Sequence, residues 1–124
     1  MTRIRDIVVD AQHPAALARF WAAALEGYAV RPYDEVEIAR LARLGFTPET
    51  DPTVMVDGPG PGLCFQKAEG KAVGRNRWHI DLTGGPREQE VQRLCALGAR
   101  VREVREGWTT LLDPEDNPFC VLDP

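Results

Sequence analysis

Two stretches decide how this chain is read: residues 78–82, WHIDL, and residues 108–122, WTTLLDPEDNPFCVL. The first is short, β-branched and aromatic, which is the pattern of a half-buried strand. Gly84-Gly85-Pro86 then leads into a segment carrying Val91, Leu94, Cys95 and Leu97 at helical spacing, closed by Gly98. Ala99–Val104, Trp108–Leu112 and Phe119–Leu122 read as three further strands. Glu106-Gly107 separates the first two, and the turn cluster from Asp113 to Pro118 separates the last two. The unit is therefore strand, helix and three strands.

Working outward, the same order occurs earlier. Ile4–Asp10 predicts a strand, and Pro14 suits the first turn of a helix, where its missing N–H costs nothing. Leu17, Phe20, Trp21, Ala24 and Leu25 give that helix an apolar face, and Gly27 is placed to end it. Tyr28–Tyr33 reads as extended. Asp34-Glu35-Val36-Glu37 has the form of a capping box opening a second helix through Ile38, Leu41 and Leu44 to Gly45. Thr53–Val56 and Gly62–Lys67 flank Asp57-Gly58-Pro59-Gly60-Pro61 and form the strongest hairpin signal of this half. The plan beginning at Ile4 restarts about 73 residues later. The expectation is an α+β domain over 1–124: two βαβββ modules forming curved mixed sheets around a central cup, helices outside. Module one is about 1–68, the linker about 69–77 and module two about 78–124.

Bulk properties narrow the function. The chain has 124 residues, 44% hydrophobic and 27% charged, with a net charge of −4, and suits one globular domain. Its acidity (pI near 5.2) and its scattered arginines argue against nucleic-acid or anionic-membrane partners. No apolar run reaches the length needed to span a bilayer, and the N-terminus lacks an apolar signal region. Cys64, Cys95 and Cys120 are an odd number without CxxC spacing, so the expectation is a reduced cytoplasmic protein. Gly58–Gly62 lacks the GK[ST] of a phosphate loop, and Asp113–Asn117 lacks the terminal Glu of a calcium loop. Both are turns.

Residues 76–82 and 107–122, with Phe20-Trp21 and Leu25-Glu26-Gly27, resemble the glyoxalase-like branch of the glyoxalase/bleomycin-resistance/dioxygenase (vicinal-oxygen-chelate) superfamily. The resemblance covers nearly the whole chain except 34–60, which looks like a variable insertion. It implies a homodimer, with the two modules paired either within one chain or by exchange between chains. In metal-using relatives a His on the first strand and a Glu on the last strand of each module supply ligands. Those four places hold Asp6, Cys64, His79 and Cys120 here, and His79 alone keeps the usual residue. Thiols disfavour hard cations, so no metal is favoured; were one bound, the ligands would be His79, Asp6, Cys64 and Cys120 around zinc, iron or manganese.

Strand alternation puts His79 and Asp81 on one face and Trp78, Ile80 and Leu82 on the other. His79 can serve as ligand, base or hydrogen-bonding group, and Asp6 as a base if its pKa were raised. The bland alternatives are a structural histidine held by Asp81 and a carboxylate paired with Arg5, Arg77 or His79. Cys64 and Cys120 can equally be small apolar fillers. Trp108 opens a strand after a turn and is the aromatic candidate for stacking a ligand, whereas Trp21 belongs to the core. Arg77, like Arg75, could meet an anion or simply be solvated. The leading expectation is a metal-independent small-molecule binder. The alternatives are a metal-dependent lyase, isomerase or dioxygenase using His79 with Asp6, Cys64 or Cys120, and a regulatory or accessory module with a vestigial cup.

Overall fold

Pro14 stands in the first turn of helix α1 (Pro14–Ala24), where the chain leaves strand β1 (Asp6–Ala11). The computed structural model describes residues 1, 3–69 and 79–124. Expectations placed on Arg75, Arg77 and Trp78, and on the linker beyond Glu69, lie outside the described residues. The contacts divide the chain into two units, Met1–Gly70 and Lys71–Pro124.

In the first unit α1 buries Leu17, Ala18, Phe20, Trp21 and Ala24. Phe20 and Trp21 meet edge to face with ring centroids 5.2 Å apart. Gly27 adopts φ +75° just beyond the helix, the left-handed conformation expected of it. β2 (Ala29–Val30), β3 (Thr53–Asp57) and β4 (Gly62–Lys67) complete a sheet in the order β1-β4-β3-β2, with β1 parallel to β4 and the other pairs antiparallel. Val54, Val56, Leu63 and Phe65 are buried on the sheet, and α1 packs against β3 and β4.

The 34–60 segment contributes helix α2 (Glu35–Arg43) before β3. Asp34 is its N-cap and accepts from the Glu37 backbone N–H at 2.8 Å, as the sequence predicts. Leu41 is buried. The stretch from 34 to β3 is tied at both ends, because the Tyr33 hydroxyl donates to Asp51 at 2.7 Å and Asp51 also accepts from Thr53 N at 2.9 Å. Burial and the Asp51 carboxylate together push the Tyr33 phenol well above its ordinary range.

The second unit repeats the plan: β5 (Ile80–Leu82), α3 (Arg87–Leu97), β6 (Arg100–Arg105), β7 (Trp108–Leu112) and β8 (Pro118–Leu122), in the order β5-β8-β7-β6. Leu94 of α3 is buried, as are Leu111, Phe119 and Val121 on the sheet that α3 packs against. The α+β class and the doubled βαβββ order therefore stand as read. Element ends differ in places. Of Tyr28–Tyr33 only Ala29–Val30 form a ladder, opposite Asp57 and Val56, before the chain turns into the Asp34 cap. β1 starts at Asp6 because its parallel partner β4 starts opposite it, at Gly62. No helix of the described residues is long and apolar enough to cross a membrane.

Candidate functional site

In the second unit, residues paired side by side across the sheet share a face, and one face is left uncovered by α3. A single row of this face runs from Glu103 on β6 through Thr110 on β7 and Cys120 on β8 to Asp81 on β5. The next row holds Arg105, Trp108 and Leu122. These residues, with His79 and Pro118, line an open concavity of about 680 Å³, within the size range of small-molecule sites.

Three donors gather at the β5 edge. The ligating atoms of His79, Asp81 and Cys120 all lie within 4.8 Å of one another, and His79 Nε2 is 3.3 Å from Asp81 Oδ1. The causes are local: His79 and Asp81 are two residues apart on an extended segment, so they project to the same side, and Asp81 is the direct register partner of Cys120. Cys120 Sγ also lies 3.4 Å from Thr110 Oγ1. Chemically, a carboxylate beside imidazole orients the ring and supports a proton-accepting nitrogen. The same three groups suit a metal. Zinc accepts N, O and S donors, and its bond lengths of about 2.0–2.3 Å put tetrahedral ligands roughly 3.3–3.8 Å apart, which the His79–Asp81 separation matches. His79, Asp81 and Cys120 would hold such an ion, which would polarise a bound oxygen; the thiol makes magnesium or manganese a poor fit.

The first unit places its candidates differently. Cys64 pairs with Val8 and with Met55, the places that Asp81 and Thr110 take around Cys120. Asp6 corresponds to His79, two residues before the partner of the cysteine. An apolar Val8 thus stands where Asp81 gives the second unit its third donor. Asp6 is paired with Arg5 Nε at 2.6 Å and is largely covered. Its carboxylate occupies the space left by Gly62, where a Cβ would come within 2.5 Å of Oδ1. Burial and the Asp6 carboxylate push the Cys64 thiol up, against the opposing pull of Arg5 and Arg31. A thiol held protonated is a weak ligand.

Trp108 is 43% exposed on the wall of the concavity, whereas Trp21 is buried in the first unit's core. Asp113–Asn117 is a turn: Asp113 is fully buried and accepts from the backbone N–H groups of Glu115 and Asn117, each at 2.9 Å. Arg102, Glu103, Arg105 and Thr110 line the concavity without having been singled out from the sequence. Val101 and Val104 are three residues apart, yet both pair with buried residues of β7, Leu111 and Thr109, which strict alternation forbids.

The model of the glyoxalase-like domain matches residues 6–122. The chain belongs to that family. Among solved structures, this glyoxalase-like chain is similar to a glyoxalase/bleomycin resistance protein/dioxygenase family enzyme from Burkholderia phytofirmans PsJN, at 15% identity and a TM-score of 0.68, covering 98% of each chain. It is also similar to the fosfomycin resistance protein FosX of Listeria monocytogenes (12% identity, TM-score 0.68, 100% of this chain and 94% of that one). The FosX of Mesorhizobium loti is matched at 12% identity and a TM-score of 0.64, over 98% and 90% of the two chains. At these identities the likeness is one of fold. No curated protein matches the sequence.

Proposed function

We propose that this glyoxalase-like protein binds a small organic molecule on the concave face of its second unit, and that binding does not depend on a metal. The observation that carries the reading is the half-exposed Trp108 indole on the wall of a concavity about 680 Å³ in volume. A large aromatic surface left in water costs free energy unless something covers it, and an indole face stacks well on planar ligands. Apolar Leu122 and Pro118 lie on the same wall, and Thr110, Cys120, His79 and Asp81 supply a few converging polar groups, the usual composition of such sites. Metal independence rests on the carried-over positions, of which Asp6, Cys64 and Cys120 depart from the family's usual ligands.

The test is a thermal-shift screen of small aromatic and aliphatic compounds on the purified chain, repeated after EDTA treatment and with Trp108→Ala. A compound at 100 times its dissociation constant should add about 2.7 kcal/mol. The gain should survive EDTA and vanish in the variant. A screen with no stabilising compound, or gains that persist in Trp108→Ala, contradict the reading.

One observation favours a second reading, a metal-dependent lyase, isomerase or dioxygenase: the grouping of His79, Asp81 and Cys120 donors within 4.8 Å. In that case elemental analysis should find near-stoichiometric zinc or iron, lost in both His79→Ala and Cys120→Ser. Absence of bound metal after zinc loading and desalting would exclude this second reading.

A further inference from the structure

On β6 the register shifts between Val101 and Glu103: Val101 pairs with Leu111, yet Glu103 pairs with Thr110. One extra residue, Arg102, is accommodated in that step. Such a bulge re-aims a side chain that alternation would send to the opposite face. The consequence is visible in the lining of the concavity, to which Arg102, Glu103 and Arg105 all contribute, while Val101 and Val104 keep the face of Leu111 and Thr109. Arg105 is held by Glu103 at 2.5 Å. Among the described residues, no carboxylate lies within ion-pair reach of Arg102.

The β6 end of the concavity therefore carries Arg102 beside the Glu103–Arg105 pair. Arg102 stands at the β6 edge, and Asp81 with His79 at the β5 edge, three strand spacings or roughly 14 Å away. Trp108 pairs with Arg105 in the adjoining row, so its indole lies near the Arg102 end. We infer that the bulge at Arg102 builds an oxyanion subsite, and that the ligand of the concavity is a planar apolar molecule carrying a carboxylate or phosphate. Arg102 takes the oxyanion in its fork of N–H donors while Trp108 stacks the planar body. This rests on the small-molecule reading above and adds the charge class of the ligand.

The probes are 2-naphthoate, 2-naphthyl phosphate and the neutral isostere 2-naphthamide, titrated into the whole chain while the Trp108 indole N–H is followed by heteronuclear NMR. The stronger of the two anions should bind about tenfold more tightly than the amide, and which one it is separates carboxylate from phosphate recognition. Arg102→Gln should remove that preference, Arg102→Lys should keep part of it, and Arg100→Gln should leave it intact, since Arg100 pairs with Asp116 outside the concavity. Equal affinities for the anions and the amide, or a preference that survives Arg102→Gln, overturn the oxyanion subsite while leaving the small-molecule site standing. Failure of all three probes to move the Trp108 resonance contradicts both.

Discussion

His79 Nε2 lies 3.3 Å from Asp81 Oδ1, and both side chains are about half exposed, at 47% and 55%. A polar contact so open to water contributes about 0–1 kcal/mol at most, so it is not there to hold the fold. Asp81→Asn is expected to change the unfolding free energy, read by urea titration, by less than about 0.5 kcal/mol, while weakening any ligand that uses the β5 end of the concavity. A large loss of stability in this variant would show the pair to be structural.

Asp113 is the opposite case. It is fully buried, and its carboxylate accepts from Glu115 N, Asn117 N and, through both oxygens, from Asn117 Nδ2. Asp113→Ala strands those donors in the turn that sets the β7–β8 register, and so the spacing of Thr110 and Cys120. The expected cost is about 2–4 kcal/mol, read as a lower urea midpoint at unchanged slope.

The thiol of Cys64 has its pKa raised by burial first and by Asp6 second. Folding therefore favours the protonated form. The associated stability is fully present below the ordinary cysteine pKa of about 8.5 and is lost as pH rises toward the folded value. Alkylation of Cys64 by iodoacetamide, followed by peptide mass spectrometry, should still be accelerating above pH ~10, where free cysteine has levelled off. Asp6→Asn should move that profile to lower pH. A Cys64 profile that coincides with free cysteine in the unsubstituted protein would contradict the argument.

Two glycines differ in what they exclude. A Cβ on Gly58 would come within 2.4 Å of the Tyr28 ring, whose hydroxyl is anchored on the Pro61 carbonyl at 3.0 Å. A Cβ on Gly62 would overlap only the end of the Asp6 side chain, with the Arg5 carbonyl oxygen at an ordinary contact distance of 3.6 Å. Gly58→Ala is thus expected to destabilise by about 1–3 kcal/mol, and Gly62→Ala by less, with the Asp6 carboxylate displaced from its place. Thermal melts of the two variants check the ranking.

The sequence carries the fold in signals that are local. Pro14, Gly27 and the Asp34 cap mark helix ends by backbone chemistry that depends on a few neighbours, and the Pro-Gly cluster at 57–61 forces a turn wherever it occurs. The site was legible only in part, because it depends on pairing between distant strands. Alternation placed His79 beside Asp81, but nothing short of the β5–β8 register sets Cys120 opposite Asp81. Likewise Arg102 reads as one solvated arginine among many until the bulge brings it onto the same face as Thr110. The sequence offers Asp6 several partners, and its neighbour Arg5 takes it.

The most direct test of the central claim, that the second unit's concave face is a small-molecule site, is photoaffinity labelling with diazirine-bearing aromatic fragments followed by peptide mapping. Labels should concentrate on the stretch that lines the face, residues 79–82 with 100–122, with Trp108 and Cys120 among the modified positions, and should be competed by the unlabelled parent compounds. Labels scattered over the surface, or concentrated away from that stretch and unaffected by competitors, would contradict it.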